Sequence, residues 1–182
     1  MKLFKKLAAA VLAAALALTM VGCGGNSYAV QAELLKIAID NLTDVGETVT
    51  HTTKADEMAA ALLAAADTAA GQMENKGVDA KELLQDPAVI KAAKIDLEKT
   101  PCMFNLIDVD SQIKSSGVMG EFLKMQRMME AAGLYRFERP GTGAFNPGEN
   151  DKIEIGAATH KIGDKSYTLI LLTYTKTTPS KI

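Results

Sequence analysis

Aromatic residues are few in this chain of 182 residues: tryptophan is absent, and there are five Phe and four Tyr. Aromatic rings supply the stacking platforms of carbohydrate sites and the anchors of many protein interfaces. Their scarcity disfavours both kinds of surface here.

Cysteine is equally scarce, with only Cys23 and Cys102 present. The chain is therefore not a disulfide scaffold of the kind common among small exported domains. Cys102 opens the apolar stretch Cys102-Met103-Phe104-Asn105-Leu106-Ile107. We interpret it as a buried small hydrophobic residue rather than a reactive thiol.

Beyond the first six residues, no cluster of Lys or Arg stands out, and the net charge of the chain is −2. Removing residues 1–22 takes away three of the 20 basic residues and none of the 22 acidic ones, so the charge becomes −5. This balance argues against nucleic acid as a partner and against a polybasic contact with anionic lipid.

The only histidines, His51 and His160, are 109 positions apart, and neither stands at metal-ligand spacing from another His, Cys or Asp. We expect both to be solvated. Asp108-Val109-Asp110 follows an apolar segment, where two carboxylates suit either a hard cation or, as we favour, a helix cap or turn. No cofactor and no catalytic set is predicted from these spacings.

The first 23 residues, MKLFKKLAAAVLAAALALTMVGC, show the pattern of an export signal. Three lysines precede an uncharged run of 14 residues, Leu7 to Met20, which is shorter than the roughly 20 residues of a membrane-spanning helix. Met20-Val21-Gly22-Cys23 resembles a bacterial lipobox, and the following residues 24–27 resemble the tether of such proteins.

This resemblance, to bacterial lipoprotein precursors, implies a signal peptide over 1–22 and a diacylglycerol thioether on Cys23. Acyl chains bind a bilayer by about 0.8 kcal/mol per buried CH₂. The expected location is the extracytoplasmic face of the cell envelope, with residues 23–27 as lipidated cysteine and tether and 28–182 as one domain. A plain secretory signal with a chance cysteine, or an uncleaved anchor, remains the alternative.

Helical spacing dominates the first half of the domain. We predict a helix over 28–42, and a second from Thr53 to a stop at 75–77, with a capping box at Thr53 and Asp56. Asp79 and Asp86 are expected to cap two more helices, and the helix that Asp86 caps is expected to extend to Thr100-Pro101.

A further helix is predicted over 118–132. It is expected to bury the stripe Val118, Phe122, Met125, Met129 and Ala132. We interpret its methionines as residues that fill the core rather than as ligands of a copper site.

Strand patterns dominate the second half. We predict strands over 102–109 and 134–138, a loop over 140–151, and a closing hairpin that turns at Gly163-Asp164. The last strand, Ser166 to Lys176, is apolar on both faces and should lie inside the sheet. Together these elements predict an α+β domain with an antiparallel sheet of three to four strands and four to five helices.

The closing hairpin also resembles that of CAP-superfamily domains, the cysteine-rich secretory protein group. The resemblance rests on Asn146-Pro147, Ile155-Gly156-Ala157 and Ser166-Tyr167-Thr168-Leu169-Ile170. The paired His and Glu of that family have no counterpart here, so no active site is carried over.

Three functions remain open. The first is a non-catalytic lipoprotein that binds an envelope protein or an extracellular ligand, with the 140–151 loop and the hairpin edge as its binding face. The second is an exported hydrolase, or a degenerate CAP-like domain, in which His51 or His160 meets Asp108, Asp110 or Glu149 in a pocket. The third is a purely structural envelope protein.

Overall fold

The computed structural model describes residues 26–72, 77–112, 120–133, 136–140, 145–148 and 151–175. Six helices and four strands lie in these ranges. In chain order they are α1 Asn26–Asp44, β1 Val49–His51, α2 Thr53–Ala70, α3 Ala80–Gln85, α4 Pro87–Ala92, β2 Cys102–Asp108, α5 Val109–Gln112, α6 Gly120–Ala131, β3 Ile153–Ile162 and β4 Lys165–Tyr174.

One four-stranded sheet, in the order β1-β3-β4-β2, organises these elements. The predicted α+β class and the hairpin of β3 and β4 around Gly163-Asp164 are confirmed. β2 also pairs with β4 in the antiparallel sense, whereas β1 pairs with β3 in parallel, so the sheet is mixed. The tight turn forces β3 and β4 to be antiparallel. β1 is about a hundred residues before β3 in the chain, so no tight turn restricts the direction in which the two strands pair.

Helices cover both faces of the sheet. α1 and the C-terminal part of α6 pack on one face against Ile107, Ile155, Ala157, Ile170 and Leu172. α2, α3 and α4 pack on the other face against Cys102, Phe104, Ala158, Ile162, Leu169 and Leu171. β4 lies between β3 and β2 and is buried along almost its whole length, as its doubly apolar pattern predicts.

Helix starts follow local side-chain chemistry. Asp79 and Asp86 cap α3 and α4 as expected, accepting hydrogen bonds from the backbone N–H groups of Lys81 and Ala88. The predicted capping box at Thr53 is wrong by one residue: Thr52 is the cap of α2 and accepts from the N–H of Ala55. Asp56 is therefore not part of a capping box.

α4 ends earlier than predicted, at Ala92 rather than at Thr100-Pro101. Lys94 adopts a φ of 58°. The N–H of Ile95 bonds to the carbonyl of Ile90, and that of Lys94 to the carbonyl of Lys91. This is a Schellman stop, which satisfies two carbonyls at the helix end.

The buried face of α6 differs from the predicted one. Met128, Ala131 and Ala132 are buried, whereas Met125 and Met129 are 45% and 55% exposed. The side-chain amide of Asn105 donates to the carbonyl of Ala131, which holds the end of the helix against β2. Of the predicted stripe, Ala132 is buried as expected, whereas Met125 and Met129 are not, so the buried face is turned by about one residue position, or 100° around the helix. Val118 and the side chain of Phe122 lie outside what the structure describes.

Two smaller features complete the sheet. Glu138 and Phe104 exchange two backbone hydrogen bonds of 2.7 Å, so residues near 138 cover part of the outer edge of β2; residues 134–135 of the predicted strand lie outside the described ranges. Residues 145–148 of the predicted loop lie beside the end of β4, where Tyr174 Oη donates to the carbonyl of Asn146 at 2.9 Å.

The sheet has two ends with different surroundings. The hairpin-turn end is formed by Gly163-Asp164, Asp108 and α5, where β2 and β3 finish and β4 begins. The open end is formed by Val49, Ile153, Tyr174 and the 145–148 loop.

Candidate functional site

His51 and Asp56 form a side-chain pair at the open end. His51 is the last residue of β1, and Asp56 lies in the first turn of α2. The Nε2 atom of His51 is 2.9 Å and 3.0 Å from the two carboxylate oxygens of Asp56. The imidazole is 49% exposed, so the pair faces solvent.

Asp56 also holds the edge of β3. Its Oδ1 atom accepts a hydrogen bond of 2.8 Å from the N–H of Ala157. β1 ends at His51, opposite Ile155, and no strand in the described ranges pairs with the edge of β3 beyond that point. Gln31 Nε2 donates to the carbonyl of Ala157, and the two side chains together complete the backbone pairing of this residue.

A second polar group lies beside this pair. Lys54 Nζ is 3.6 Å from Glu154 Oε2 and donates to Thr175 Oγ1 at 3.2 Å. Within the described part of the chain, Glu154 Oε2 is the one buried side-chain N or O atom without a hydrogen-bond partner. The open end therefore presents an imidazole, an ammonium and two carboxylates on neighbouring elements.

His160 repeats the arrangement at the other end of α2. Its Nε2 atom is 3.6 Å from Asp67 Oδ2, and Asp67 Oδ1 accepts from the N–H of Gly163 at 3.0 Å. Asp67 is eleven residues after Asp56, which is about three helical turns and the same face of α2. Each histidine is thus adjacent to an α2 aspartate that also binds the backbone of the β3–β4 hairpin.

The predicted meeting of His160 with Asp108 does not occur. The strand register places Asp108, Tyr167 and His160 in one row across three strands. His160 and Asp108 are therefore two strand spacings apart, or about 10 Å. Burial, followed by the charge of Asp108 and of other nearby aspartates, raises the pKa of Tyr167.

Asp108 serves the local backbone, as the cap interpretation predicts, whereas Asp110 binds a backbone N–H of β4 that is far away along the chain. Asp108 Oδ1 caps α5 by accepting from the N–H of Ser111 at 2.9 Å, and its Oδ2 is 3.7 Å from Lys165 Nζ. Asp110 Oδ2 accepts from the N–H of Ser166 at 2.8 Å. Among the described residues, no group of three or more His, Cys, Asp or Glu side chains is arranged to hold a metal ion.

Cys102 is buried, as predicted, and is 4% exposed. Burial raises the pKa of its thiol to about 12. The thiol therefore stays protonated at neutral pH, and a protonated thiol is a poor nucleophile.

Two aspartates that contact the histidines are not among the site residues predicted from the sequence. Asp56 is predicted only as part of a capping box, and Asp67 has no predicted role. Their eleven-residue spacing on one strongly predicted helix is the signal that places both on one face. Their partners Ala157 and Gly163 are not readable from that spacing, because they lie about a hundred residues away along the chain.

Glu149 and Cys23, two further candidates, lie outside the described residues. No helix within the described ranges is both long and apolar enough to cross a bilayer. Comparison with protein-family models, with curated proteins and with solved structures finds no match for this chain.

Proposed function

We propose that this chain is a lipid-anchored lipoprotein of the bacterial cell envelope, with a non-catalytic domain that binds a partner on the extracytoplasmic side. The observation that carries the proposal is the lipobox-like Met20-Val21-Gly22-Cys23 placed directly before the folded domain, since α1 begins at Asn26. Asn26 and Ser27, expected in the tether, are the first residues of that helix. An acylated Cys23 would hold such a domain close to the bilayer.

The arrangement of the histidines supports a non-catalytic domain. Both face aspartates that also bind the backbone of the β3–β4 hairpin, which is a structural task. The binding face is assigned to the open end, where the 145–148 loop meets β4. Its partner is an envelope protein or an extracellular ligand.

The anchor is tested by producing the full chain and its Cys23→Ser variant in a bacterium that processes lipoproteins. We expect the mature protein to begin at Cys23, to carry a diacylglycerol mass on that residue, and to partition with membranes. The Cys23→Ser variant should lose all three properties, whereas Cys102→Ala should retain them. An unmodified thiol at Cys23, or a mature start elsewhere, contradicts the proposal.

One observation favours the hydrolase alternative. An aspartate that accepts from one nitrogen of an exposed imidazole can orient the ring for general-base catalysis, and Asp56 holds His51 in this way. The test is a panel of ester, amide and phosphoester substrates with the wild type and His51→Ala. Turnover that disappears in His51→Ala supports the hydrolase, and absence of turnover in both supports the binding protein.

The binding face is tested with alanine substitutions at Asn146 and Pro147, matched by Lys161→Ala at the hairpin-turn end. Once a partner is captured, the loop substitutions should weaken its binding and the control should not. If the loop variants bind as tightly as the wild type, the open end is not the binding face.

A further inference from the structure

We infer that the domain stands on the membrane by its hairpin-turn end and presents the open end outward. The inference rests on the proposed lipid anchor at Cys23. Its partner is the headgroup surface of the bilayer that carries the anchor, and its basis is the direction of α1 together with the short distance between Cys23 and that helix.

The direction of α1 follows from contacts at both of its halves. Near its start, Gln31 donates to the carbonyl of Ala157 in the middle of β3. Its end connects through residues 45–48 to Val49, which pairs with Ile153 at the open end. α1 therefore runs antiparallel to β3, and its first residue points toward the hairpin turn.

The lengths of the two elements place Asn26 a short distance from the level of the hairpin turn, on the side of the open end. Five residue steps along the helix join Asn26 to Gln31, a rise of about 8 Å. Five residue steps along the strand join Ala157 to Ile162, a rise of about 17 Å. The hairpin turn therefore extends about 9 Å beyond the level of Asn26, by the difference of these two rises.

The tether matches that distance. Three residue steps join Cys23 to Asn26, and a fully extended chain spans at most about 11 Å over them. Because Cys23 lies within that span of Asn26, acylation of Cys23 in the bilayer leaves too little chain for the domain to invert and bring its open end to the membrane. The turn at Gly163-Asp164 reaches the headgroups, while the open end lies about 30 Å farther out, the length of β4.

Charge does not supply this orientation. Among the described residues, the hairpin-turn end carries Asp67, Asp108, Asp110 and Asp164 together with the exposed lysines Lys161 and Lys165. The described side chains of this end therefore give it no net attraction for anionic headgroups. The short tether alone sets the orientation, and the outward end is the one that bears His51, Lys54, Glu154 and the 145–148 loop.

The test compares the distance of the two ends from the lipid surface. Full-length, acylated protein is placed in phosphatidylcholine vesicles that contain nitroxide-headgroup lipid. A fluorophore is attached to Asp164→Cys or Lys161→Cys at the hairpin-turn end, and to Val45→Cys or Glu47→Cys at the open end; all four positions are exposed. Native Cys102 is 4% exposed and does not compete for the label.

We expect quenching to be severalfold stronger at 164 and 161 than at 45 and 47. The matched control inserts twenty Gly and Ser residues between Gly25 and Asn26, which gives the tether a span of about 25 Å. In that variant the ratio between the ends should fall toward one.

Equal quenching at both ends of the unmodified chain, or stronger quenching at 45 and 47, overturns the orientation. Mass spectrometry and vesicle flotation of the same samples separate this failure from that of the anchor. If diacylglycerol is absent or the protein does not float, the proposed function fails and the orientation fails with it.

Discussion

Gly156 lies where α2 approaches the sheet most closely. A Cβ atom built on this residue would lie 2.3 Å from the backbone nitrogen of Asp56 and 2.4 Å from the carbonyl carbon of Ala55. Both neighbours are backbone atoms, which cannot move aside as a flexible side chain can. The absence of a side chain at 156 is therefore what allows Asp56 to reach the N–H of Ala157.

Gly156→Ala tests this contact. We expect the free energy of unfolding to fall by about 3 kcal/mol, since overpacking against backbone forces α2 away from β3. Gly71→Ala is the matched control, because its added Cβ meets only ordinary contacts at 3.5 Å and 3.8 Å. The control should change stability by less than about 1 kcal/mol. Urea denaturation of residues 26–182 measures both, and equal values would contradict the close approach.

Cys102 gives the domain a dependence on alkaline pH. Burial raises the pKa of its thiol from 9.0 to about 12. Below pH 9 the thiol is neutral in both the folded and the unfolded chain. Between pH 9 and 12 the unfolded chain releases this proton and the folded chain keeps it, so stability is lost as pH rises.

The expected loss is about 1.4 kcal/mol for each pH unit above 9. It is measured as the difference in unfolding free energy between the wild type and Cys102→Ala from pH 8 to 11. The raised pKa of Tyr167 acts in the same direction in both proteins and cancels in the comparison. A difference that does not change with pH would show that the thiol titrates normally.

At the scale of elements, two side-chain hydrogen bonds, three helical turns apart on α2, join that helix to the β3–β4 hairpin. Asp56 accepts from Ala157 and Asp67 accepts from Gly163, both backbone N–H groups of the hairpin. The hydrogen bond from Ala157 to Asp56 satisfies a backbone N–H of β3 at a position that β1 does not reach. The hydrogen bond from Gly163 to Asp67 holds the turn of the hairpin itself.

Asp56→Ala is expected to lower the free energy of unfolding by about 2 kcal/mol, because it leaves the N–H of Ala157 without its partner. Glu57→Ala, at the exposed neighbouring position, should change it by less than about 0.5 kcal/mol. His51→Ala should cost less than about 1 kcal/mol, since a half-exposed ion pair contributes little. Chemical denaturation of the three variants provides the comparison. If His51→Ala matched Asp56→Ala, the ion pair and not the backbone bond would carry the effect.

Helix caps and the hairpin turn were predicted from sequence because each depends on residues a few positions apart. Asp79, Asp86 and Gly163-Asp164 all act within their own segments. The rotational position of α6 was not predictable in this way. Its sequence offers two apolar faces, and the hydrogen bond from Asn105 selects the one that contains Met128.

At the scale of the whole molecule, two hydrophobic clusters share one sheet. Leu34 belongs to the cluster on the α1 face and Leu63 to the cluster on the α2 face, and both are fully buried. β4 contributes alternate residues to each cluster. Loss of either face therefore removes the support of the strand that both require.

Leu34→Ala and Leu63→Ala should each lower the free energy of unfolding by about 3 kcal/mol. Each should shift one cooperative transition, with helical circular dichroism and tyrosine fluorescence giving the same midpoint. Residues 26–182 are the material for this measurement. A variant that shifts the midpoint of one probe alone would show that the two faces unfold separately.

Of the candidate site, the sequence alone singled out His51, His160, Asp108 and Asp110 but not their partners. The backbone role of Asp108 was predictable, because it caps the helix that follows it. The pairing of His51 with Asp56 was not predicted, since it requires β1 to join β3 in parallel before the chain enters α2.

Local chemistry in the sequence determined most helix starts, the hairpin and the α+β class, because these depend on neighbouring residues and on hydrophobic periodicity. The export signal that the sequence also predicts stays a prediction. Tertiary structure alone decided the parallel partner of β1, the face that α6 buries and the hydrogen bond that Asp56 accepts from the backbone of β3. The bond between Asp56 and Ala157 joins residues 101 positions apart. Only the packing of α2 against Gly156 brings those two groups within hydrogen-bond distance, and no pattern within either segment encodes it.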